Sequence, residues 1–333
     1  MHILVTRLSA LGDVAMTIPA IYSVARTYPE HTFTVVTSAF MSRLFINAPS
    51  NVEVLALTKD ESRGVLGTWR LLRKMRTLDV DAVADLHNVL RSWLIDALFR
   101  LRLKPVAMLD KNRSERRAIL HDHAQCSHPF TERYFDVFAR LGLPTQPQFV
   151  TLFPQGLPAL PDGLPAKGTE QWVGVAPFAR YRSKTYDLTQ MQEVVTQLAA
   201  RPRGRVFLFG AKGHEADLLS TWGAHHDNIF VVAGRLQLEQ ELALMAHLDV
   251  MLSMDSANMH LASLVGTRVI SIWGGTTPAC GFLGFNQNPS DALTAGLPCQ
   301  PCTIAGSDKC PLRHMQCTRA ISPERISQTC MSL

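Results

Sequence analysis

The chain has 333 residues, more than one hydrophobic core usually holds, so two domains of about 150 residues each are expected. Its composition, 47% hydrophobic and 18% charged, excludes a disordered or fibrous chain. The net charge of +5 arises wholly in residues 1–150, where 19 Lys and Arg stand against 14 Asp and Glu; that suits either a solvated face or a surface meeting an anionic partner, and without interleaved aromatics no nucleic-acid partner is expected.

The amino end, His2-Ile3-Leu4-Val5-Thr6-Arg7, starts as a strand and meets a charge at once, so no signal peptide is expected and a cytoplasmic location is. The longest uncharged stretch, 269–290, is broken by Gly274, Gly275, Pro278, Gly281 and Pro289 and does not predict a spanning helix.

In chain order, apolar strand-like runs alternate with helical patterns: 3–6, then 14–27, 33–37, 40–47 and 52–57. Such alternation predicts βαβ units and a parallel sheet. A basic amphipathic helix at 65–77 precedes a short buried strand, 81–87, and another helix. Between 143 and 172, six prolines from Pro144 to Pro165 leave room for no helix and for one strand at 149–152. A second alternating series follows: strands at 172–176, 206–210, 229–232, 250–254 and 269–273, with helices between them. The expectation is a domain at 1–150, a proline-rich linker at 151–171, a second domain at 172–322, and a last helix in 323–333 that crosses back.

Polar residues immediately after strands sit at the carboxyl edge of such sheets, where open α/β folds bind ligands. The first strand runs into Arg7-Leu8-Ser9-Ala10-Leu11-Gly12-Asp13, which lacks the second and third glycines of a dinucleotide fingerprint and so weighs against an NAD-dependent oxidoreductase. Asp13 reads as a helix cap or a catalytic carboxylate. After the strand at 172–176 comes a loop with three cations, Arg180, Arg182 and Lys184, which on its own is readable as an ordinary solvated loop. Gly210-Ala211-Lys212-Gly213-His214-Glu215 is a glycine-bearing turn before a helix. Asp255 and Ser256 read as caps that leave backbone N–H groups at a helix start, an anion site fit for a diphosphate. His87 reads equally as a satisfied core histidine or a site residue.

Taken together, Ser9-Ala10-Leu11-Gly12-Asp13, the strand and loop up to Lys184, Asp255-Ser256-Ala257-Asn258-Met259-His260-Leu261-Ala262, and Gly274-Gly275-Thr276-Thr277-Pro278 resemble, in order, the motifs of glycosyltransferase family 9, the ADP-heptose:lipopolysaccharide heptosyltransferases. The resemblance spans nearly the whole chain; Ala257 departs from it, standing where the family has glycine. It implies the α/β GT-B architecture, two Rossmann-like domains with parallel sheets facing a central cleft. It implies an inverting transfer with Asp13 as general base, Lys184 neutralising the leaving diphosphate, and neither cofactor nor metal. Arg180, Gly210, Glu215, Asp255, Ser256, Asn258, His260 and Thr276 are expected on the donor side; Ser9, Gly12, His87, Asn88 and Arg91 are expected on the acceptor side. The implied partners are ADP-heptose and an anionic glycolipid, the Kdo-bearing lipid A core, with peripheral contact at the inner membrane. Another nucleotide-sugar donor, or a sugar-nucleotide binding protein without turnover, is the rival reading; the presence of both Asp13 and Lys184 counts against the latter.

Cys299, Cys302, Cys310 and Cys317 crowd one loop-rich segment. Packing thiols, a structural zinc site with one Cys-x-x-Cys knuckle, and a disulfide are the three readings, none of them catalytic.

Overall fold

The computed structural model describes residues 1–61 and 64–332. They divide into two compact units, Met1–Asn112 with His128–Val150, and Arg113–Ser127 with Thr151–Leu333.

The first unit runs β1 (His2–Thr6), α1 (Leu11–Thr27), β2 (Thr32–Ser38), β3 (Val52–Leu57), α2 (Gly64–Arg76), β4 (Ala82–Asp85), α3 (Leu90–Arg100) and β5 (Val106–Met108). Its five strands are all parallel in the order β3-β2-β1-β4-β5. Ile3, Leu4 and Val5 are wholly buried, so both sheet faces are covered, as the unbroken apolar run of β1 requires. On one face, Leu71 and Met75 of α2 and Ile95 and Phe99 of α3 cluster with Leu4, Val36 and Val83. α1 is buried along its whole length from Val14 to Ala25, and Asp13 is the last residue before that burial begins.

The chain then contributes α4 (Arg113–His121) to the second unit before returning with α5 (Phe130–Ala139), which packs on α1. The expected unbroken domain of 1–150 is thus interrupted: α4 lies against the turn at Pro278–Cys280, and the Cys126 N–H donates to the Ala279 carbonyl at 3.1 Å. The helix expected at 40–47 is only a one-turn 3-10 segment, Met41–Leu44. The strand expected at 149–152 joins neither sheet; the N–H groups of Gln148 and Phe149 donate instead to Ser23 Oγ.

The second unit continues β6 (Gln171–Ala176), α6 (Leu188–Ala199), β7 (Gly204–Leu208), α7 (His214–Gly223), β8 (Ile229–Val231), α8 (Leu238–His247), β9 (Val250–Met254), α9 (Ala257–Leu264), β10 (Arg268–Trp273), β11 (Ala292–Thr294) and α10 (Pro323–Met331). Its six parallel strands lie in the order β11-β10-β9-β6-β7-β8. The last helix, expected to cross back, packs on α6, with Ile326 and Cys330 buried in the second unit's core. No described helix is long and apolar enough to cross a membrane.

Candidate active site

In each unit the strand order reverses at one place, between β1 and β4 in the first and between β6 and β9 in the second. Crevices at such reversals, beyond the carboxyl ends of the strands, are where open α/β sheets hold ligands. The residues following those four strands are the candidates.

Beyond β1, the buried Arg7 guanidinium donates to the Leu86 carbonyl at 2.6 Å and pairs with Asp13 Oδ1 at 2.9 Å. Asp13 Oδ2 accepts from the Ala10 N–H at 3.2 Å, so both carboxylate oxygens are oriented while the side chain stays 38% exposed. Ser9 is exposed in this loop, and Gly12 lies in the first turn of α1. Beyond β4, the fully buried Asp85 accepts from Thr6 Oγ1, the N–H groups of His87 and Asn88, and Ser92 Oγ, at 2.7 to 3.0 Å. Those four bonds fix the turn that carries His87. The His87 Nδ1 accepts from the Leu8 N–H at 3.4 Å. Burial first, then the charge of Arg7, push His87 from its ordinary 6.5 down to about 4, so it is neutral at physiological pH. Asp96, one turn further along α3 than Ser92, is buried; that burial and the charge of Asp85 hold its carboxyl well above the usual range.

Two residues expected on the acceptor side carry structural bonds here. The Asn88 amide donates to the Leu109 carbonyl and accepts from Trp93 Nε1, both at 2.6 Å, and Arg91 donates to the Glu61 carbonyl. Arg7 and Asp85, by contrast, organise the loop and were not among the expected residues; a cation and a carboxylate at the ends of buried strands were the available signal.

Beyond β6, the chain turns through a one-turn 3-10 segment at Arg182–Lys184, and beyond β9 it enters α9. These two exits meet: Lys184 Nζ lies 2.8 Å from Asp255 Oδ2, with the two side chains 15% and 3% exposed. The buried Thr276 hydroxyl donates to the same oxygen at 2.7 Å. Asp255 therefore does not cap α9. Ser256 is the N-cap, but it makes no side-chain cap bond, its hydroxyl lying 3.2 Å from that of Ser253. The first turn of α9, with Asn258 half-buried and His260 buried, consequently has no side-chain cap. Among the expected site residues, Lys184, Asp255 and Thr276 converge directly, while the Ser256 hydroxyl lies against Ser253. Arg180 is exposed, with its guanidinium over the Tyr181 ring. Glu215 closes its own turn by accepting from the Ala211 N–H at 2.7 Å, and Gly210 lies tightly against it.

The cysteine-bearing segment holds this cluster in place. Gln300 Nε2 donates to the Gly274 carbonyl at 2.6 Å, and the N–H groups of Cys302 and Thr303 donate to that of Gly275. The Gly275 N–H donates to the Ser183 carbonyl at 2.6 Å, while Ser183 exchanges two further bonds with Ser307. A Cβ on Gly274 would stand 2.1 Å from the Ser183 carbonyl oxygen, so only glycine allows β10's exit to approach the lysine loop. All seven cysteines are free thiols, which sets aside the disulfide reading. Burial pushes the Cys317 thiol up to about 11. Among the described residues no group of three or more His, Cys, Asp or Glu is arranged to hold a metal ion.

Residues 68–308 match glycosyltransferase family 9 (heptosyltransferase). The chain is 22% identical to lipooligosaccharide heptosyltransferase 2 of Campylobacter jejuni over 95% of its length and 94% of the relative's. It is 24% identical to lipopolysaccharide heptosyltransferase 1 of Pseudomonas aeruginosa over 91% and 86%. Among solved structures, Escherichia coli heptosyltransferase WaaC with ADP-2-deoxy-2-fluoro heptose superposes with a TM-score of 0.68 at 16% identity, covering 98% of each chain. Escherichia coli ADP-heptose lps heptosyltransferase II gives 0.66 at 19% identity, over 99% and 97%. These likenesses give the fold as GT-B, and the match over most of the chain agrees with the paired sheet-edge sites: the chain is a glycosyltransferase and belongs to glycosyltransferase family 9.

Proposed function

We propose that the chain transfers heptose from ADP-heptose to an anionic lipopolysaccharide inner-core acceptor, the Kdo-bearing lipid A core, with inversion and without a metal ion. The observation that carries this reading is the convergence of Lys184, Asp255 and Thr276 beside the uncapped start of α9. A fixed cation and a row of backbone N–H groups are what a departing diphosphate needs, since its charge grows as the bond to the anomeric carbon lengthens. Asp13, oriented by Arg7 and the Ala10 N–H, is the base in this reading, taking the acceptor hydroxyl proton as that oxygen attacks. Similarity to a heptosyltransferase bound to an ADP-heptose analogue supports the choice of donor.

The test is ADP release from ADP-heptose with a Kdo-bearing lipid A acceptor, with excess EDTA throughout and product stereochemistry read by NMR. Transfer that survives EDTA with inverted configuration is expected. Loss of activity with EDTA that Mg²⁺ restores would overturn the metal-free account, and turnover with other nucleotide sugars but not ADP-heptose would overturn the donor.

A further inference from the structure

Asp96 is the one acidic residue of α3 and is 1% exposed, and neither of its carboxyl oxygens meets a hydrogen-bond donor among the described residues. Ionised there, it would be a buried charge without compensation, an arrangement that folds avoid by neutralising the group. The elements packed on α3 bring it no cation. β5 carries no charged residue, and α2 turns Leu71 and Met75 into the shared cluster while Lys74 is held 3.3 Å from Glu61. On α3 itself, Arg100 is exposed and donates to Met108 Sδ at 3.2 Å, and its pull on Asp96 is outweighed by burial and by Asp85. The charged residue that β4 supplies is that same Asp85, a second carboxylate, wholly buried and within hydrogen-bond reach of Asp96.

Two carboxylates side by side cannot bond, since neither has a donor; one proton between them makes the contact a charge-assisted hydrogen bond. The surroundings decide which of the two holds it. Asp85 Oδ1 accepts from Thr6 Oγ1 and the N–H groups of His87 and Asn88, and Oδ2 accepts from Ser92 Oγ. Bonds donated to a carboxylate favour its ionised form, and Asp96 receives none. The proton therefore stays on Asp96 and is donated to Asp85 Oδ2, the oxygen with capacity left. Ionising Asp96 would set two buried like charges against each other, and Asp85 could relieve the repulsion only by leaving the donors that fix the turn after β4.

We propose that Asp96 works as a neutral acid, a positioning residue that acts through Asp85 to hold the His87–Asn88 turn at the edge of the first sheet. Its effect on turnover rests on the reading of that turn as acceptor-side; the proton itself does not.

The test begins with the infrared difference spectrum of the parent chain minus Asp96→Asn at pH 7. The C=O stretch of a protonated carboxyl is expected, and it should bleach as the pH is raised. The Asn amide can donate to Asp85 as the acid does, so the variant should keep the turn. Between the ordinary carboxylate value and the raised folded one, Asp96 is neutral in the folded chain and ionised in the unfolded chain, so unfolding releases a proton. In urea unfolding the parent should lose up to about ten-fold in folding equilibrium constant per pH unit relative to Asp96→Asn as the pH rises above about 4. With ADP-heptose and a Kdo-bearing lipid A acceptor, the parent's acceptor KM should rise where the band bleaches. The variant's acceptor KM should stay level, and the donor dissociation constant should be unaffected in both. Should the variant fail to fold, the bleaching in the parent chain and an NMR shift of the His87 ring over the same pH range carry the test. Absence of the band, or parallel stability profiles, would overturn the proposal. A band whose loss moves neither the His87 signals nor the acceptor KM would overturn the positioning role. If no heptosyl transfer is detected, the functional reading fails, and the band, the stability slope and the His87 signals still decide the role of Asp96.

Discussion

Lys184 and Asp255 hold one another at 2.8 Å at the one place in the second sheet where the strand order reverses, and Thr276 bonds the same carboxylate oxygen. The pair has a structural role as well as its proposed chemical one, and the two can be separated. Removing one member of a buried ion pair leaves the other charge uncompensated, a loss of about 3 kcal/mol. Lys184→Met should therefore lower the unfolding free energy by about that much and also abolish measurable ADP-heptose affinity. Adding Asp255→Asn should recover most of the stability and none of the affinity, by urea unfolding and calorimetric titration. If the single and double variants unfold alike, the pair is not electrostatic support.

At the first sheet's reversal stands the Asp13 carboxylate, its side chain 38% exposed. Asp13→Asn keeps the shape and the Ala10 contact but cannot accept a proton. A fall in kcat of about 10²- to 10⁴-fold with the donor dissociation constant nearly unchanged is expected from steady-state and binding measurements. Unaltered kcat would remove Asp13 from the chemistry.

His87 gives the fold a pH dependence of definite sign. Its folded value of about 4 lies below the ordinary 6.5, so above pH 6.5 it is neutral in both states and adds no slope. Between pH 6.5 and 4 the unfolded chain takes a proton that the folded chain refuses, so stability falls with pH, by at most about 3 kcal/mol. His87→Gln should flatten the unfolding free energy across that window relative to the parent chain. Parallel profiles would show that His87 titrates normally.

Asp13, Lys184 and Asp255 could be located in the sequence because each follows an apolar run that can only be a buried strand, and parallel sheets gather strand ends at one edge. Local pattern also gave the alternation of strands and helices, since buried parallel strands read as continuous apolar runs. Arg7 and Asp85 end the same apolar runs, but their partners, the Leu86 carbonyl for Arg7 and the Thr6 hydroxyl for Asp85, lie 79 residues away in sequence, and only the fold reveals them. The defection of α4 to the second unit had no local signal: its composition is that of any charged surface helix, with Ile119 its one buried side chain. The support under Lys184 was equally hidden. Ser183 and Ser307 are 124 residues apart in sequence, and no periodicity links them.

That hidden support makes Gly306 the sharpest test of how the donor-side cluster is held. Its φ is +103°, a conformation that side chains rarely adopt, and a Cβ there would lie 2.5 Å from Tyr181 Cδ2 and 2.6 Å from Lys184 Cδ. Those atoms belong to the loop that delivers Lys184 to Asp255, so Gly306→Ala must move that loop or the segment carrying Ser307 and Asp308. Moving it would disturb the Ser183–Ser307 exchange and the bond from the Arg182 N–H to Asp308 Oδ1, without opening either hydrophobic core. The expected result is a kcat/KM for ADP-heptose lowered by at least about ten-fold, because a displacement near 1 Å at a positioning group is costly. Acceptor KM should stay near that of the parent chain, and the unfolding midpoint should drop by only a few degrees, as for strain confined to a surface loop. A variant with unimpaired kcat/KM would mean that the lysine loop holds its position without the cysteine-bearing segment.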